Sequence, residues 1–207
     1  MALLRRLRVT AMTLVSFRSL VALAAAALAA GVGAAARAEA VTYLLDPSHT
    51  QVTFEVLHLG TSTLRGRFNR IEGHATLDRA ARKGELSVAI DTASISTGVL
   101  PLDGLLRGTQ GFSAQEHPRA YFVAKQLSFD ADKLVSVRGE FTLRGAGQPL
   151  LLRAEGFNCY THPSLQREVC GGDFEAELMR SSFGISHSLP FVGDRVRLRV
   201  QVEGVRQ

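Results

Sequence analysis

The run "RVRLRVQV", Arg195 to Val202, alternates strictly between apolar and polar side chains. A strand sends successive side chains to opposite faces, so Val196, Leu198, Val200 and Val202 share one dry face and the arginines the wet one. The same period recurs along most of the chain. "TQVTFEVLH" alternates Val52, Phe54, Val56 and His58, and "STLRGRF" places Leu64 and Phe68 together. "GHATLD", "GELSVAID" and "RAYFVAKQLSF" follow, and "KLVSVRGEFTL" places Val135, Val137, Phe141 and Leu143. "PLLLRA" and "GDFEAELM" add Leu150, Leu152 and Ala154, then Phe174, Ala176 and Leu178. Eight or nine such runs, joined by short Gly, Asp or Asn turns, predict an all-β, antiparallel domain, either a sandwich or a closed barrel.

One segment departs from this period. Leu102, Leu105 and Leu106 stand at helical spacing, Phe112 follows, and His117-Pro118 ends the stretch. A short helical insertion near residues 100–117 is expected, weakened by Gly104, Gly108 and Gly111. Such an insertion suits the open end of a barrel.

Residues 1–38 read as a secretory signal peptide. Arg5, Arg6, Arg8 and Arg18 precede an Ala/Leu-rich run from Leu20 to Ala36, and "ARA" closes it with a small-x-small site. A membrane anchor needs about 20 strongly apolar residues, and this run is short and alanine-rich. The residues around Arg5-Arg6 fit a twin-arginine signal poorly. The segment holds five of the 24 basic residues and no acid, which leaves 19 basic against 19 acidic residues in 39–207. The formal charge of +5 therefore belongs to the leader, and a nucleic-acid partner loses its electrostatic footing. The 169 residues from Glu39 to Gln207 suit one domain with a real interior.

Export places Cys159 and Cys170 in an oxidising compartment, where a disulfide is the default. His162-Pro163-Ser164 between them signals a turn, so the pair reads as a staple across a hairpin end. A metal site built on both thiols and His162 is the rival. "GFSAQ" and "GISHS" lack the second glycine of a nucleophile elbow, and neither a phosphate loop nor an HExxH motif occurs. His58, in phase with Phe54 and Val56, should face inward, and His49 or His58 would have to carry any catalysis. Arg107 and Arg180 could meet a phosphate or carbonyl head group, or could form ion pairs with Asp103 and Glu177.

The stretch "LDPSHTQVTFEVLHLGTSTLRGRFNRIEG" resembles the opening of the YceI-like family of bacterial polyisoprenoid-binding proteins, through Asp46, Ser48, His49, His58, Gly60, Gly66, Phe68 and Gly73. Asp103, Leu106, Arg107, Phe112, Pro118 and Phe122 continue the order, as do "GEFTLRGAGQPLLL", "RSSFGI" and "VRLRVQVEGV". The resemblance runs from Tyr43 to Val205; Leu102 departs from it, standing where a basic residue is usual. It implies a lipocalin-like antiparallel β-barrel of about eight strands. Such a barrel would be a periplasmic binding protein, without enzymatic activity, cofactor or metal, holding a long-chain isoprenoid such as a quinone or polyprenyl chain.

On that reading the expected lining is Phe54, Val56, His58, Phe68, Leu105, Leu106, Phe112, Phe122, Phe141, Leu152, Phe174, Phe183 and Leu198. A transient contact with a membrane and a homodimer are compatible with it. The alternatives are an enzyme acting on a lipid-like substrate through His49 or His58, and an interaction module of a membrane respiratory system. From alternation alone, side chains could equally fill the barrel.

Overall fold

The structure is a computed structural model that describes residues 39–207. The segment read as a signal peptide lies outside the described residues.

Eleven strand segments form one sheet that closes on itself. β1 (Val41–Leu45) and β2 (Gln51–His58) follow one another along the same neighbour, the long closing strand β11 (Val192–Arg206). β3 (Ser62–Phe68) and β4 (Ile71–Asp78) are coupled in the same way, β3 pairing with β2 and β4 with β1. Each couple serves as one long bent strand. The ring continues through β5 (Lys83–Asp91), then past the two-residue β6 (Ile95–Ser96) to β7 (Arg119–Asp130). β8 (Lys133–Leu143), β9 (Ala146–Thr161) and β10 (Glu168–Met179) lead back to β11. The result is an eight-stranded antiparallel barrel. β6 adds a short rung to β3, Phe68 facing Ile95.

Alternation does what the sequence predicts on most walls. Val196 and Leu198 are buried, and Arg195, Arg197 and Arg199 point to solvent between them. Each fully buried Leu or Phe of this kind contributes about 1.5–3 kcal/mol through removal from water. One phase assignment fails: Val135 is exposed, because Leu134 and Val137 take the inward positions. The β7–β8 ladder shifts register between Ser128 and Phe129, and the extra residue flips the side chains beyond it.

The barrel's two ends differ. At the lower end, tight turns at 79–82 and 131–132 and the loop 162–167 close the hairpins. Cys159 and Cys170 face each other across β9 and β10 there and are joined in a disulfide. At the upper end the chain makes its two long excursions, 92–118 and 180–191.

The helical insertion is shorter than its sequence span suggests. α1 covers Leu100–Arg107 only; Gly108 ends it, its N–H bonding to the carbonyls of Gly104 and Leu105. The chain then folds back on the helix instead of extending it. The Phe112 N–H reaches the Leu106 carbonyl at 2.6 Å. A Cβ on Gly111 would lie 2.2 Å from that same oxygen, so only glycine permits this return.

Candidate lipid-binding site

The upper half of the bore holds an apolar cavity of about 160 Å³. Strand positions supply its wall: Phe54 and Val56 from β2, Leu64 and Phe68 from β3, Phe141 from β8, and Val196 and Leu198 from β11. α1 and the fold-back after it roof the cavity with Leu102, Leu105, Leu106 and Phe112. Phe68 and Phe112 pack edge to face with centroids 5.4 Å apart, and Phe54 and Phe68 form a tilted pair 6.0 Å apart. Polar side chains are few: Arg65, Thr97, Gln110, Arg180, His187 and Ser188. A resident water needs two to four polar partners, and the aliphatic and aromatic wall offers none over most of its area.

α1 is held over this cavity by a buried carboxylate. Asp103 accepts from the Thr97 N–H at 2.7 Å and from its hydroxyl at 2.6 Å. The Thr97 bonds hold the acid below the usual carboxylate range. As an anion in the first turn, Asp103 also complements the helix dipole.

Both arginines considered for a head group are engaged by backbone carbonyls. The Arg107 guanidinium donates to the carbonyls of Ala93 and Ile95, tying α1 to the segment before it. Arg180 is buried and donates to four backbone carbonyls, those of Ile185, His187, Val192 and Gly193, at 2.8–3.0 Å. Burial lowers its pKa from the ordinary arginine value. Arg180 therefore pins the upper excursion 185–193. Glu177 pairs with Arg195 and Arg197 on the outer face, not with Arg180.

The sequence-predicted lining residues divide into four groups. Phe54, Val56, Phe68, Leu105, Leu106, Phe112, Phe141 and Leu198 come together around the upper cavity. Leu152 and Phe174 line a separate lower cavity of about 90 Å³, with Val200 and Val202. Phe122 is buried between the two and lines neither. Phe183 and His58 line neither cavity either. Phe183 packs behind Phe141, centroids 5.6 Å apart, because it sits in the 3-10 turn Arg180–Phe183 and not on a strand. His58 ends β2 opposite Ser62 and Val192, one inward position beyond Val56, the last residue of β2 on the wall.

Leu64, Leu102 and Leu178 complete the wall and were in phase with named neighbours. Ile185, His187 and Ser188 lie in a loop, where no periodicity could reveal them. His49 is exposed in the β1–β2 turn, Nδ1 2.7 Å from Asp46 Oδ2. Asp46 also accepts from the Ser48 N–H and hydroxyl. Its pKa falls to about 2 through the His49 and Ser48 bonds, and that of His49 rises. The Asp-x-Ser-His motif thus builds a turn remote from the cavity.

The lower end is sealed by polar contacts. Tyr43 is buried beside the lower cavity, and its hydroxyl donates to Glu168 at 2.5 Å. Arg79 holds the other oxygen of Glu168 at 2.7 Å. Among the described residues no group of three or more His, Cys, Asp or Glu side chains is placed to hold a metal. No helix among them is long and apolar enough to cross a membrane.

Comparison with known proteins agrees with this geometry. The model of the YceI-like domain matches residues 43–204. Protein YceI of Escherichia coli O157:H7 is 30% identical over 193 residues, covering 92% of this chain and 98% of that protein. A UPF0312 protein of Pseudomonas aeruginosa (strain LESB58) is 30% identical over 188 residues, covering 89% and 97%. Among solved structures, the Campylobacter jejuni YceI protein superposes with a TM-score of 0.64 at 24% identity, over 73% of this chain and 90% of that one. A polyisoprenoid binding domain from Saccharophagus degradans, implicated in plant cell wall breakdown, superposes with a TM-score of 0.57 at 15% identity, over 81% and 99%. The chain, from its opening Asp46-Ser48-His49 turn to its closing strand, belongs to the YceI-like family.

Proposed function

We infer that this barrel is an exported carrier that holds the tail of an isoprenoid amphiphile, a quinone or a polyprenyl chain, in its upper cavity. The observation that carries this is an almost wholly apolar bore roofed by α1. Each buried CH₂ is worth about 0.8 kcal/mol, so several isoprene units outweigh the cost of immobilising the tail with little help from polar contacts. The polar groups near the entrance, Gln110, His187 and Ser188, are donors and acceptors suited to a carbonyl or hydroxyl head. The disulfide fits an oxidising compartment, and residues 1–38 supply the export signal that takes the chain to the periplasm.

Leu59 and Phe191 on loops and Leu100 at the start of α1, respectively 57%, 65% and 81% exposed, stand at the upper end. A tail leaving a bilayer would meet them first, in a transient contact with the membrane. Incubating the purified barrel with farnesol and with a short-chain ubiquinone, followed by native mass spectrometry, tests the reading. One isoprenoid bound per chain is expected; failure to take up either compound would overturn it.

A further inference from the structure

The bore is divided. The upper and lower cavities lie in line along the same strands but share no wall residue. On β11 they meet at neighbouring inward positions, Leu198 above and Val200 below. On the other strands one or two inward positions separate them. β8 has Phe141 above and Val137 below, with Gly139 between; β10 has Leu178 above and Phe174 below, with Ala176 between. On β5 the intervening residue is Val88, and on β7 it is Phe122, followed by Ala124. The belt thus carries small or aliphatic side chains and one aromatic ring.

That ring has a prepared seat. Phe122 is 5% exposed and pairs with Phe141 on β8. A Cβ on Gly139 would lie 2.9 Å from Phe122 Cε2, so the ring fills the gap that the missing side chain leaves in the neighbouring strand. Gly139 cannot answer with a side chain of its own, since that Cβ would also lie 2.3 Å from the Val123 carbonyl oxygen. Phe122 is the belt's one ring, beside the buried aliphatics Leu150, opposite Gly139 on β9, and Val52 on β2, which also line neither cavity.

We propose that Phe122 is the stop that sets the length of tail this barrel holds, confining it to the upper cavity. The proposal rests on the isoprenoid reading of the bore. β11 bulges between Val192 and Val196, so the wall is measured on β2, where Phe54 to His58 spans roughly 13 Å at about 3.3 Å per residue. A strand tilt of about 40° makes that roughly 10 Å along the axis. Four carbon–carbon bonds of about 1.5 Å, zigzagged, give an isoprene unit of roughly 5 Å. The wall above Phe122 is therefore about two units deep, and removing the ring would join the cavities and admit a longer chain.

The test is a competition, read by native mass spectrometry, among geraniol, farnesol and solanesol, with two, three and nine isoprene units by their chemistry, for the whole chain and for Phe122→Ala. The unaltered protein should favour the two short alcohols over solanesol by about tenfold or more, and Phe122→Ala should abolish that preference, because each further buried CH₂ then adds to binding. Phe122→Leu, which keeps an apolar filler, serves if the alanine variant loses its melting transition. A farnesol analogue with a photoreactive tail end, bound to the unaltered protein, should label belt or upper-cavity residues and spare Leu152 and Phe174. Solanesol bound as well as farnesol, a preference unmoved in both variants, or labelling of the lower cavity would each overturn the proposal while leaving the isoprenoid reading intact. An unaltered protein that binds none of the three alcohols would overturn that reading, and the stop with it.

Discussion

Asp103 holds Thr97 twice, through its backbone N–H at 2.7 Å and its hydroxyl at 2.6 Å, and so fastens the first turn of α1 to the strand segment it follows. The helix roofs the upper cavity with Leu102, Leu105 and Leu106. Fastening the roof is a kinetic device: a looser helix leaves the cavity wall in place and opens its entrance more often. Asp103→Ala should therefore speed release of a bound farnesol by about threefold to tenfold, the range expected for the loss of a hydrogen bond. Binding capacity should be unchanged. Stopped-flow displacement checks it; an unchanged off-rate would assign the pair to folding alone.

Arg180 is a second fastening, and its geometry is less replaceable. The planar guanidinium forks to the carbonyls of Ile185, His187, Val192 and Gly193. Lysine offers one compact ammonium and cannot reach all four. Arg180→Lys should lower stability by about 2 kcal/mol or more, because buried carbonyls lose their donors. Urea unfolding measures this, with a lowered midpoint and an unchanged slope as the expected result.

The Cys159–Cys170 bridge closes a hairpin far from the upper cavity. Replacing both cysteines by serine should cost about 2–3 kcal/mol, the chain-entropy contribution of a loop this short. Farnesol uptake above the belt should be retained in the folded fraction. Thermal melts and uptake measured on the same preparations separate the two effects.

Tyr43 supplies a pH signature for the lower end. Burial first, then the bond to Glu168, push its pKa up to about 12. In the unfolded chain the phenol ionises near 10. Between these values the folded state keeps a proton that the unfolded state has lost, so stability falls as pH rises from about 10 to 12. The stabilisation is fully present below pH 10, and about 2 kcal/mol should be lost across the window. Tyr43→Phe should flatten that part of the curve. Unfolding midpoints taken between pH 9 and 12 decide it.

The barrel was legible because its walls are periodic. Val52, Phe54 and Val56, or Phe174, Ala176 and Leu178, declare their shared face by spacing alone. Val135 was misassigned because a register shift is a property of two strands, and one strand's sequence does not carry it. The division of the bore was invisible for the same reason. Phe122 matters through Gly139, which is distant in sequence and adjacent only across a ladder. The loop residues His187 and Ser188 reach the cavity because Arg180 holds their backbone, a tertiary fact with no local pattern. Arg107 and Arg180 show the converse: a charged residue beside an apolar run suggests a ligand until its carbonyl partners are seen.

The central claim is that the barrel carries an isoprenoid. The most direct measurement is organic extraction of the protein purified from its native cells without detergent, followed by mass spectrometry of the extract against the extract of an unrelated protein purified in the same way. The account predicts one isoprenoid species, near one molecule per chain and absent from the control. A protein that is consistently empty, or that carries only non-isoprenoid lipids also found in the control, would contradict it.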